Sequence, residues 1–362
     1  ESYPRDNKIA KFDMTLSLVH RESEIEGGME YNTDLFESDT IKKWIEYYLR
    51  LLKNMLMHPA TPISKLSLLD EEKKNLILHE WNANYHEVQY ETTILTYFEQ
   101  QSLLMPNEIA IVYENQTLTD GELKHRSNQL ANYLIDHGIL PGNMIGLCFE
   151  RSLEMVIAMY AIIKAGGTYV PLDPEYPPAR LAEMTRALTC IVTLDTLLDH
   201  LPSLSIPIYP IDVEWGKILQ YKDTNPTISI TADFPVYVLF TSGSTGQPKG
   251  VVITHSALIN HMLWYLDAFR FTNRDIVLQK TVFTFDSSVC EFFAPLMVGA
   301  KLVLARRAAH GDWNYLLDAL QENQITVLQV VPTVLELLIK DSGFIARSEE
   351  RRVGKECRSR WS

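Results

Sequence analysis

A ten-residue stretch rich in glycine and hydroxyl side chains has the composition of an anion-binding loop. It reads TSGSTGQPKG from Thr241 to Gly250, with apolar runs typical of strands on both sides. Glycines let backbone N–H groups approach a ligand closely, the four hydroxyl side chains add donors, and Lys249 adds the positive charge that a polyphosphate needs. The residues therefore predict a strand, an exposed phosphate-binding loop and a second strand.

Two alternatives for this loop fit the residues less well. A surface turn would need neither the hydroxyl side chains nor the lysine, although it uses the same residue types. A Walker phosphate loop has Gly-Lys followed by Ser or Thr at the start of a helix, whereas Lys249 stands between Pro248 and Gly250.

The decapeptide resembles the phosphate-binding signature of the adenylate-forming superfamily, which contains acyl-CoA ligases, luciferases and the adenylation domains of nonribosomal peptide synthetases. The resemblance implies a loop that closes over the β- and γ-phosphates of ATP while a carboxylate attacks the α-phosphate. It implies catalytic roles for Lys249 and Thr245, and the cofactors ATP and Mg²⁺. The nucleotide-binding residues that it implies are Thr241, Ser242, Gly243, Ser244, Thr245, Gly246 and Lys249.

A single aspartate stands among apolar and aromatic residues in the stretch FTFDSSVCEFF, from Phe283 to Phe293. Asp286 lies at a predicted strand-to-helix junction, where it could cap the helix with Ser287 or Ser288. It could equally pair with a buried cation, because burying the charge alone would be costly. The residues alone leave these two roles open.

The same stretch resembles the FDxS motif of the amino-acid-activating members of the superfamily, whose aspartate binds the α-ammonium group of the substrate. The resemblance implies that Asp286 binds an α-amino acid rather than a fatty or aryl acid. It also implies a side-chain pocket lined by Ser287, Cys290 and Gln329. A small thiol and an amide would give this pocket a hydrogen-bonding wall, which favours a polar substrate side chain. The alternative for Gln329 is an ordinary buried residue bonded to backbone.

Two further stretches resemble signatures of the adenylation family. LTDGEL, from Leu118 to Leu123, resembles the first, although the family usually has Tyr at the position of Asp120. KAGGTYVPLDPEYP, from Lys164 to Pro177, resembles the second. We interpret both as scaffold, because paired glycines end a helix and prolines make a crossover rigid.

The first part of the chain resembles a different domain. KFDMTLSL and YNTDLFESDTI resemble the end of a peptide-synthetase condensation domain, whose HHxxxDG catalytic motif is absent from this chain. Alternating residues predict a strand over Phe12–Val19, a turn at Gly27–Gly28, a strand near Met29–Tyr31 and a helix from about Asp39. SLLDEEKKNLILHEWN resembles the segment that joins condensation and adenylation domains.

From Ile94 onward, strand patterns alternate with helical patterns. Thr119 and Glu122 predict a capping box, and Ser152 is predicted to cap a helix that ends at Gly166–Gly167. His255 is expected in the first turn of a helix rather than in catalysis. Strands are predicted at residues 109–113, 116–118, 143–149, 276–279, 302–305 and 326–331. Strands separated by helices predict parallel sheets covered on both faces.

Together, the pattern and the resemblance predict an α/β fold. Its main part is the large lobe of an adenylate-forming enzyme of the acyl-CoA synthetase and luciferase type, with layered, mainly parallel sheets, preceded by an α/β condensation-domain remnant. The expected segments are a condensation-domain end (1–57), a linker (58–92), the N-terminal part of an adenylation domain (93–346) and a non-native tail (347–362).

The tail is expected because RSEERRVGKECRSRWS, residues 347–362, resembles a translated sequencing adapter. A solvated, disordered segment is the alternative, and resequencing the locus separates the two. Residues 340–362 show no counterpart of the family's magnesium-binding, ribose-binding or catalytic-lysine segments, so we expect this truncated chain to be inactive alone.

The composition of the 362 residues excludes other classes of protein. A net charge of −13 argues against binding to nucleic acid. No apolar run reaches the roughly 18 residues of a membrane span, and the polar start is no signal peptide, so a cytoplasmic location is expected. Cys148, Cys190, Cys290 and Cys357 lack metal-binding spacing, which suggests reduced thiols and predicts no metal site.

The predicted function is amino-acid activation in nonribosomal peptide synthesis, by ATP-dependent formation of an aminoacyl-adenylate. The resemblance implies three kinds of partner: the amino acid, a peptidyl carrier domain with its phosphopantetheine, and other synthetase modules. An acyl-CoA ligase and a binding segment without catalysis are the alternatives.

Overall fold

The computed structural model describes residues 10–83, 92–242, 248–307 and 312–340, with only the backbone for Ser242 and Trp313. Contacts between residues divide the chain into two units, Glu1–Glu87 and Val88–Ser362. The helices of the described residues include none that is long and apolar enough to cross a membrane.

The first unit contains an antiparallel pair of strands and a long helix. Its elements are β1 (Met14–His20), β2 (Ile25–Tyr31), α1 (Ser38–Met57), a 3₁₀ turn (Ile63–Lys65), α2 (Glu71–Asn75) and a π-helical turn (Leu76–Glu80). The predicted strands and helix are confirmed. The turn expected at Gly27–Gly28 is wrong, because pairing with β1 continues through both glycines. The chain reverses earlier, where Arg21 N–H donates to the Glu24 carbonyl oxygen at 2.8 Å.

The described residues of the second unit form two mainly parallel sheets. The strands are β3 (Ile109–Tyr113), β4 (Gln116–Thr119), β5 (Met144–Cys148), β6 (Thr168–Leu172), β7 (Cys190–Thr193), β8 (Ile208–Pro210), β9 (Pro235–Ser242), β10 (Pro248–Thr254), β11 (Ile276–Gln279) and β12 (Lys301–Leu304). The larger sheet has the order β10-β9-β6-β5-β7-β8, and the smaller has the order β11-β12-β3-β4. Each has one antiparallel edge strand, β10 and β4 respectively, while all other pairs are parallel. The predicted fold class is confirmed.

Helices cover these sheets and supply most of the core. They are α3 (Ile94–Leu104), α4 (Asp120–Asp136), α5 (Leu153–Lys164), α6 (Pro178–Met184), α7 (Ile211–Ile218), α8 (His255–Ala268), α9 (Ser287–Val298), α10 (Trp313–Glu322) and α11 (Pro332–Lys340). All residues of α5 except Glu154 are buried, as expected of a helix that is apolar on every face. The rings of Phe98, Tyr160 and Phe293 pack together and join α3, α5 and α9.

The predicted helix boundaries rest on the expected caps. Thr119 Oγ1 accepts from Glu122 N–H at 3.2 Å, while a Glu122 carboxylate oxygen accepts from Thr119 N–H at 2.9 Å. This is the reciprocal capping box of α4. Ser152 Oγ accepts from Met155 N–H at the start of α5. Gly166 follows α5 with a φ of +75°, which a residue with a side chain rarely adopts.

The strand predicted over residues 326–331 is wrong. Val327 forms an isolated parallel bridge with Val277, and no ladder continues beyond it in the described chain. The register of this bridge places Gln329 opposite Gln279, the last residue of β11, so the residues after Gln329 have no adjacent strand to pair with. The chain instead enters α11 at Pro332, a residue that favours the first helical position.

A buried lysine connects three helices of the core. Lys164 Nζ, at the end of α5, forms an ion pair with Glu99 of α3 and donates to Asn128 Oδ1 of α4 at 2.7 Å. Lys124 lies 2.8 Å from the other carboxylate oxygen of Glu99. Burial lowers the pKa of Lys164 to about 8 despite the opposing effect of Glu99. The carboxylate therefore compensates a charge that the core would otherwise exclude.

We expect Glu99→Gln to destabilise the second unit, because it leaves Lys164 buried without a counter-charge. The expected loss in the free energy of unfolding is about 2–4 kcal/mol. Denaturant titration followed by circular dichroism measures it. Glu214→Gln, which breaks the surface pair with Lys217, is the matched control and should cost less than about 1 kcal/mol. Equal losses in the two variants would contradict the role assigned to Glu99.

Asp120, in the first turn of α4, is a buried carboxyl group in an unfavourable setting. It is 1% exposed, and its Oδ1 has no hydrogen-bond partner among the described residues. Burial, with a smaller contribution from the negative charge of Glu108, raises the pKa of Asp120 to about 6. The folded protein therefore binds this proton more tightly than the unfolded chain does.

The raised pKa predicts a pH-dependent gain from Asp120→Asn. The raised pKa of Asp120 adds to the free energy of unfolding in full only below the unfolded pKa of about 3.9. This contribution is lost as the pH rises toward about 6. Asp120→Asn should therefore raise the free energy of unfolding by about 1–3 kcal/mol at pH 8, and by less at pH 5. Thermal unfolding of both proteins at the two pH values measures the difference. A difference that does not depend on pH would contradict this account.

Candidate functional site

The predicted phosphate-binding loop connects two antiparallel strands that are longer than expected. Thr241 and Ser242 belong to the end of β9, while Lys249 and Gly250 belong to β10. Thr241 stands opposite Lys249 in the register, and its Oγ1 donates to the Lys249 carbonyl oxygen at 3.4 Å. Residues directly opposite each other in such a pair project to the same face, and both are exposed. Gly243, Ser244, Thr245 and Gly246 lie outside the described residues, as does the side chain of Ser242.

Asp286 lies immediately before the first residue of α9 and caps that helix. Its Oδ1 accepts from Ser287 N–H at 2.8 Å, so the capping interaction anticipated from sequence is present. Its side chain is nevertheless exposed. The structure thus places a carboxylate at the surface, at the head of a helix whose later residues are buried.

Cys290 lies one turn along α9 and faces a histidine from α8. Its Sγ is 3.8 Å from His261 Nε2. Burial raises the pKa of Cys290 to about 12, and the charges of Glu291 and Asp286 add to this effect. Burial lowers the pKa of His261, which the negative charge of Asp286 partly opposes. Both side chains are therefore uncharged near neutral pH.

Tyr237 of β9 completes this group of side chains. It is buried, and burial raises its pKa to about 12, with smaller contributions from the charges of Cys290 and Asp286. Sequence reasoning identified Asp286 and Cys290 but missed His261 and Tyr237. Nothing in the local sequence of α8 or β9 marks these two residues, because they meet α9 only through the packing of distant segments.

The other predicted pocket residues are placed differently. Ser287 is the first residue of α9 and is half-buried. Gln329 follows the bridge at Val327, and its buried Oε1 has no hydrogen-bond partner among the described residues. That oxygen does not make the backbone bond that an ordinary core glutamine would make. His255 is the first residue of α8 and accepts from Ile94 N–H through Nδ1, consistent with the structural role expected for it.

A buried polar network joins α9 to the end of β11 and to the loop that leads to Asp286. Glu291, on the same helix, is 1% exposed. Its Oε2 accepts from Thr281 N–H and from Gln279 Nε2, both at 3.0 Å, and its Oε1 accepts from Thr281 Oγ1 at 2.7 Å. Burial raises the pKa of Glu291 to about 7, while the Thr281 bonds and the charges of Lys280 and Arg151 oppose the rise. Sequence reasoning missed this residue, although a glutamate within the apolar run SSVCEFFAPLMV is itself a signal of a buried partner.

The network extends to the end of a second strand. Arg151, which follows β5, donates from Nε to Gln279 Oε1 at 2.8 Å and also donates to the Lys280 carbonyl oxygen. The loop that leads from β11 to Asp286 is therefore bonded at its first two residues, Lys280 and Thr281.

The same loop has a second set of anchors near its far end. Tyr176 of the LDPEYP stretch forms a hydrogen bond of 2.9 Å between its hydroxyl group and Thr284 Oγ1. Ser288 Oγ donates to the carbonyl oxygens of Phe283 and Phe285 at 3.3 and 2.6 Å. The second signature stretch thus contacts the Asp286 loop, beyond the scaffold role that its glycines and prolines suggested.

A small cavity of about 100 Å³ lies where the carboxyl ends of β5, β6, β11 and β12 converge. Arg307 forms ion pairs there with Glu150 and Glu175. Crevices at the carboxyl ends of parallel strands are common ligand sites in α/β proteins. A larger cavity of about 590 Å³ includes Ile276 and Lys301, at the opposite, amino ends of β11 and β12. We assign function to the carboxyl-end side, because Asp286 follows that end of β11.

No group of three or more His, Cys, Asp or Glu side chains is placed to hold a metal ion within residues 10–83, 92–242, 248–307 and 312–340. Of the described residues, none is therefore assigned to Mg²⁺.

Comparisons with known proteins identify the family. A family described as AMP-binding enzyme matches residues 98–358, which is most of the chain. The chain belongs to the AMP-binding enzyme family. A second family, the condensation domain, matches residues 1–78.

Relatives of this AMP-binding enzyme include peptide synthetases. The chain is 38% identical to tyrocidine synthase 3 of Brevibacillus parabrevis over 97% of its length, and 34% identical to surfactin synthase subunit 1 of Bacillus subtilis over 92%. It spans only 5% and 10% of the lengths of these two proteins.

Solved structures of synthetases have the same fold. The four-domain nonribosomal peptide synthetase AB3403, bound to AMP and glycine, superposes with a TM-score of 0.75 at 27% identity. That match covers 94% of this chain and 25% of the other. The synthetase FmoA3 superposes with a TM-score of 0.79 at 23% identity, over 94% of this chain and 36% of the other, which supports the fold alone.

The geometry at Cys290 predicts an unreactive thiol. In a variant with Cys148→Ala, Cys190→Ala and Cys357→Ala, Cys290 should react with a thiol reagent at pH 8 about 100-fold or more slowly than in guanidinium chloride, because the thiolate is the reactive form. Absorbance of the released chromophore measures the rates. Equal rates in the folded and unfolded protein would show that Cys290 is not buried as described.

Proposed function

We propose that the chain is the amino-acid-activating region of a longer nonribosomal peptide synthetase. Its substrates are an α-amino acid and ATP, and its first products are an aminoacyl-adenylate and pyrophosphate. One observation carries the proposal: the exposed carboxylate of Asp286 stands at the head of α9 beside Cys290 and His261, which are both uncharged near neutral pH. The synthetase relatives and the condensation-domain match over residues 1–78 support it.

Asp286 suits the recognition of an ammonium group. Its charge is not neutralised by an ion pair with another described residue. The capping bond uses one lone pair of Oδ1, and a carboxylate has about four acceptor sites. A substrate ammonium therefore forms a charge-assisted hydrogen bond with Asp286 without displacing the cap. A fatty or aryl acid offers no such cation.

The hairpin of β9 and β10 serves the nucleotide. We assign the β- and γ-phosphates of ATP to the loop between Thr241 and Lys249, with Ser242, Gly243, Ser244, Thr245 and Gly246 as donors. A carboxylate oxygen of the amino acid attacks the α-phosphorus, and the bond from that phosphorus to the bridging oxygen of the β-phosphate breaks. Lys249 is exposed and stabilises the negative charge that develops on the leaving pyrophosphate.

The pocket for the substrate side chain lies along the first turn of α9. Ser287 and Cys290 form one wall, and His261 and Tyr237 extend it. The unpartnered Oε1 of Gln329 supports its inclusion, since a buried oxygen without a donor costs about 1–3 kcal/mol until a ligand supplies one. These groups favour a substrate with a polar side chain.

The remaining partners follow from the reaction. Mg²⁺ accompanies ATP and neutralises phosphate charge, and the phosphopantetheine thiol of a peptidyl carrier domain accepts the aminoacyl group with release of AMP. Other synthetase modules act before and after this step. A cytoplasmic location agrees with three buried, unpaired cysteines, Cys148, Cys190 and Cys290.

We also propose limits for the segments. Residues 1–57 form the end of a condensation domain, 58–92 a linker, 93–346 the N-terminal part of an adenylation domain and 347–362 a non-native tail. An authentic genomic reading frame through Trp361 would contradict the last of these.

Substitutions at Asp286 separate its cap from its charge. Asp286→Asn keeps an oxygen acceptor for Ser287 N–H but removes the charge, whereas Asp286→Ala removes both. In ATP–pyrophosphate exchange by the whole synthetase, both variants should lose amino-acid-dependent activity by about 100-fold or more. Asp286→Asn should change the free energy of unfolding by less than about 0.5 kcal/mol, and Asp286→Ala should lower it by about 1 kcal/mol.

The substrate panel for this assay contains the twenty amino acids with fatty and aryl acids as the matched alternative. Exchange supported by one or a few amino acids agrees with the proposal. Exchange with fatty or aryl acids that is unaffected at Asp286 would place the protein among acyl-CoA ligases instead.

A further inference from the structure

We infer that Glu291 is a positioning residue, which holds the loop from Lys280 to Asp286 in the conformation that directs Asp286 toward the ammonium group of the substrate. The inference rests on the proposed function, because it assigns the purpose of a contact made by the same site. Glu291 itself is buried behind the loop and is not assigned to the substrate.

Glu291 satisfies several hydrogen-bond donors at once. Three donors converge on its carboxylate: the backbone N–H and the hydroxyl of Thr281, and the side-chain amide of Gln279. The ionised carboxylate, which predominates above its pKa of about 7, only accepts and so matches all three. A glutamine at this position is neutral and keeps only one oxygen, so it would make the same contacts only with the Thr281 hydroxyl reversed to accept from its NH₂ group, and through weaker bonds than those to a charged acceptor.

The peptide group between Lys280 and Thr281 is fixed through both of its polar atoms. Glu291 accepts from Thr281 N–H, while Arg151 donates to the Lys280 carbonyl oxygen, which belongs to the same peptide unit. Arg151 also donates to Gln279, which in turn donates to Glu291. The peptide plane between Lys280 and Thr281 is therefore held from both sides, and its orientation sets the direction in which the loop leaves β11.

Asp286 closely follows two points at which the loop is held. The loop is held at its start by Glu291 and near its end by the bond between Thr284 and Tyr176. Only Phe285 separates Thr284 from Asp286. Exposed side chains on short loops are precise ligands only when their supporting residues are themselves held by hydrogen bonds or packing.

The burial of the Glu291 carboxylate on α9 costs stability. A charged group on a buried helix face is expensive, and an apolar residue would often serve stability as well or better. Glu291 lies between Cys290 and Phe292, both buried, on a helix that is otherwise apolar in its middle. The contacts that this carboxylate makes are directed at the loop residue Thr281 and at Gln279, which precedes the loop. A role in fixing the loop accounts for the presence of Glu291 at this position.

The test is steady-state ATP–pyrophosphate exchange by the whole synthetase, with the KM for the amino acid and the KM for ATP measured separately. Glu291→Gln should raise the amino-acid KM about tenfold or more, while the KM for ATP stays within about twofold, because ATP is assigned to the β9–β10 hairpin. Thr281→Val, which removes only the hydroxyl donor, should raise the amino-acid KM about threefold, and Thr281→Ser should remain close to wild type.

Two controls separate positioning from stability and from the proposed function. Glu99→Gln lowers stability without touching the loop and should leave both KM values within about twofold of wild type. Hydrogen–deuterium exchange over residues 280–288 should increase in Glu291→Gln but not in Glu99→Gln. Parallel rises in both KM values, or an unchanged amino-acid KM, in Glu291→Gln and Thr281→Val would overturn the inference.

The exchange assay distinguishes a wrong proposed function from a wrong inference about Glu291. If wild-type synthetase shows no amino-acid-dependent exchange, or exchange that is unaffected by Asp286→Asn, the proposed function is wrong, and the positioning role is overturned with it. If exchange by the wild-type synthetase depends on Asp286, but the amino-acid KM is unchanged in Glu291→Gln and Thr281→Val, the inference alone is overturned.

Discussion

The carboxylate of Glu291 is enclosed by protein and is compatible with the core because hydrogen-bond donors surround it. Those donors come from the end of β11 and the start of the loop that follows it, so satisfying the carboxylate fixes the backbone at the point where the chain leaves the sheet. Arg151 extends this constraint to the end of β5 in the other sheet. The placement of Asp286 therefore depends on the hydrogen bonds that offset the cost of burying this charge.

The surrounding architecture explains why the site lies where it does. Both sheets are mainly parallel, and residues following the carboxyl ends of β5, β6, β11 and β12 line one small cavity. The helix α9, which presents Asp286 at its start, is held against α3 and α5 by packing of Phe98, Tyr160 and Phe293. A rigid helix in the core therefore places an exposed carboxylate at its first turn, next to side chains that burial keeps uncharged.

Local sequence signals predicted the parts of the structure that local interactions decide. The capping box at Thr119, the cap at Ser152 and the helix end at Gly166 were predictable because each involves residues a few positions apart. The hairpin around the glycine-rich loop was also predictable, although its strands proved longer. The strand expected over residues 326–331 was wrong because a strand needs a partner, and the length of β11 could not be derived from that segment.

The candidate site likewise contains some residues that local sequence predicted and others that it did not. Asp286 and Cys290 belong to one recognisable stretch, so sequence alone brought them together. His261 and Tyr176 reach that stretch from other elements, as does Tyr237; no local pattern marks His261 or Tyr237, and the signature that contains Tyr176 was interpreted only as scaffold. Glu291 stood within the recognised stretch, but its role became clear only when its contacts to Thr281 and Gln279 were known.

The central claim is that Asp286 recognises the ammonium group of the substrate, and the most direct measurement compares an amino acid with its des-amino analogue. The two compounds share a carboxylate and a side chain and differ only in the group that Asp286 is proposed to bind. With the activated amino acid known, ATP–pyrophosphate exchange should be at least about 100-fold weaker for the analogue, and the difference should disappear in Asp286→Asn. Comparable exchange with both compounds in the wild-type synthetase would contradict the account.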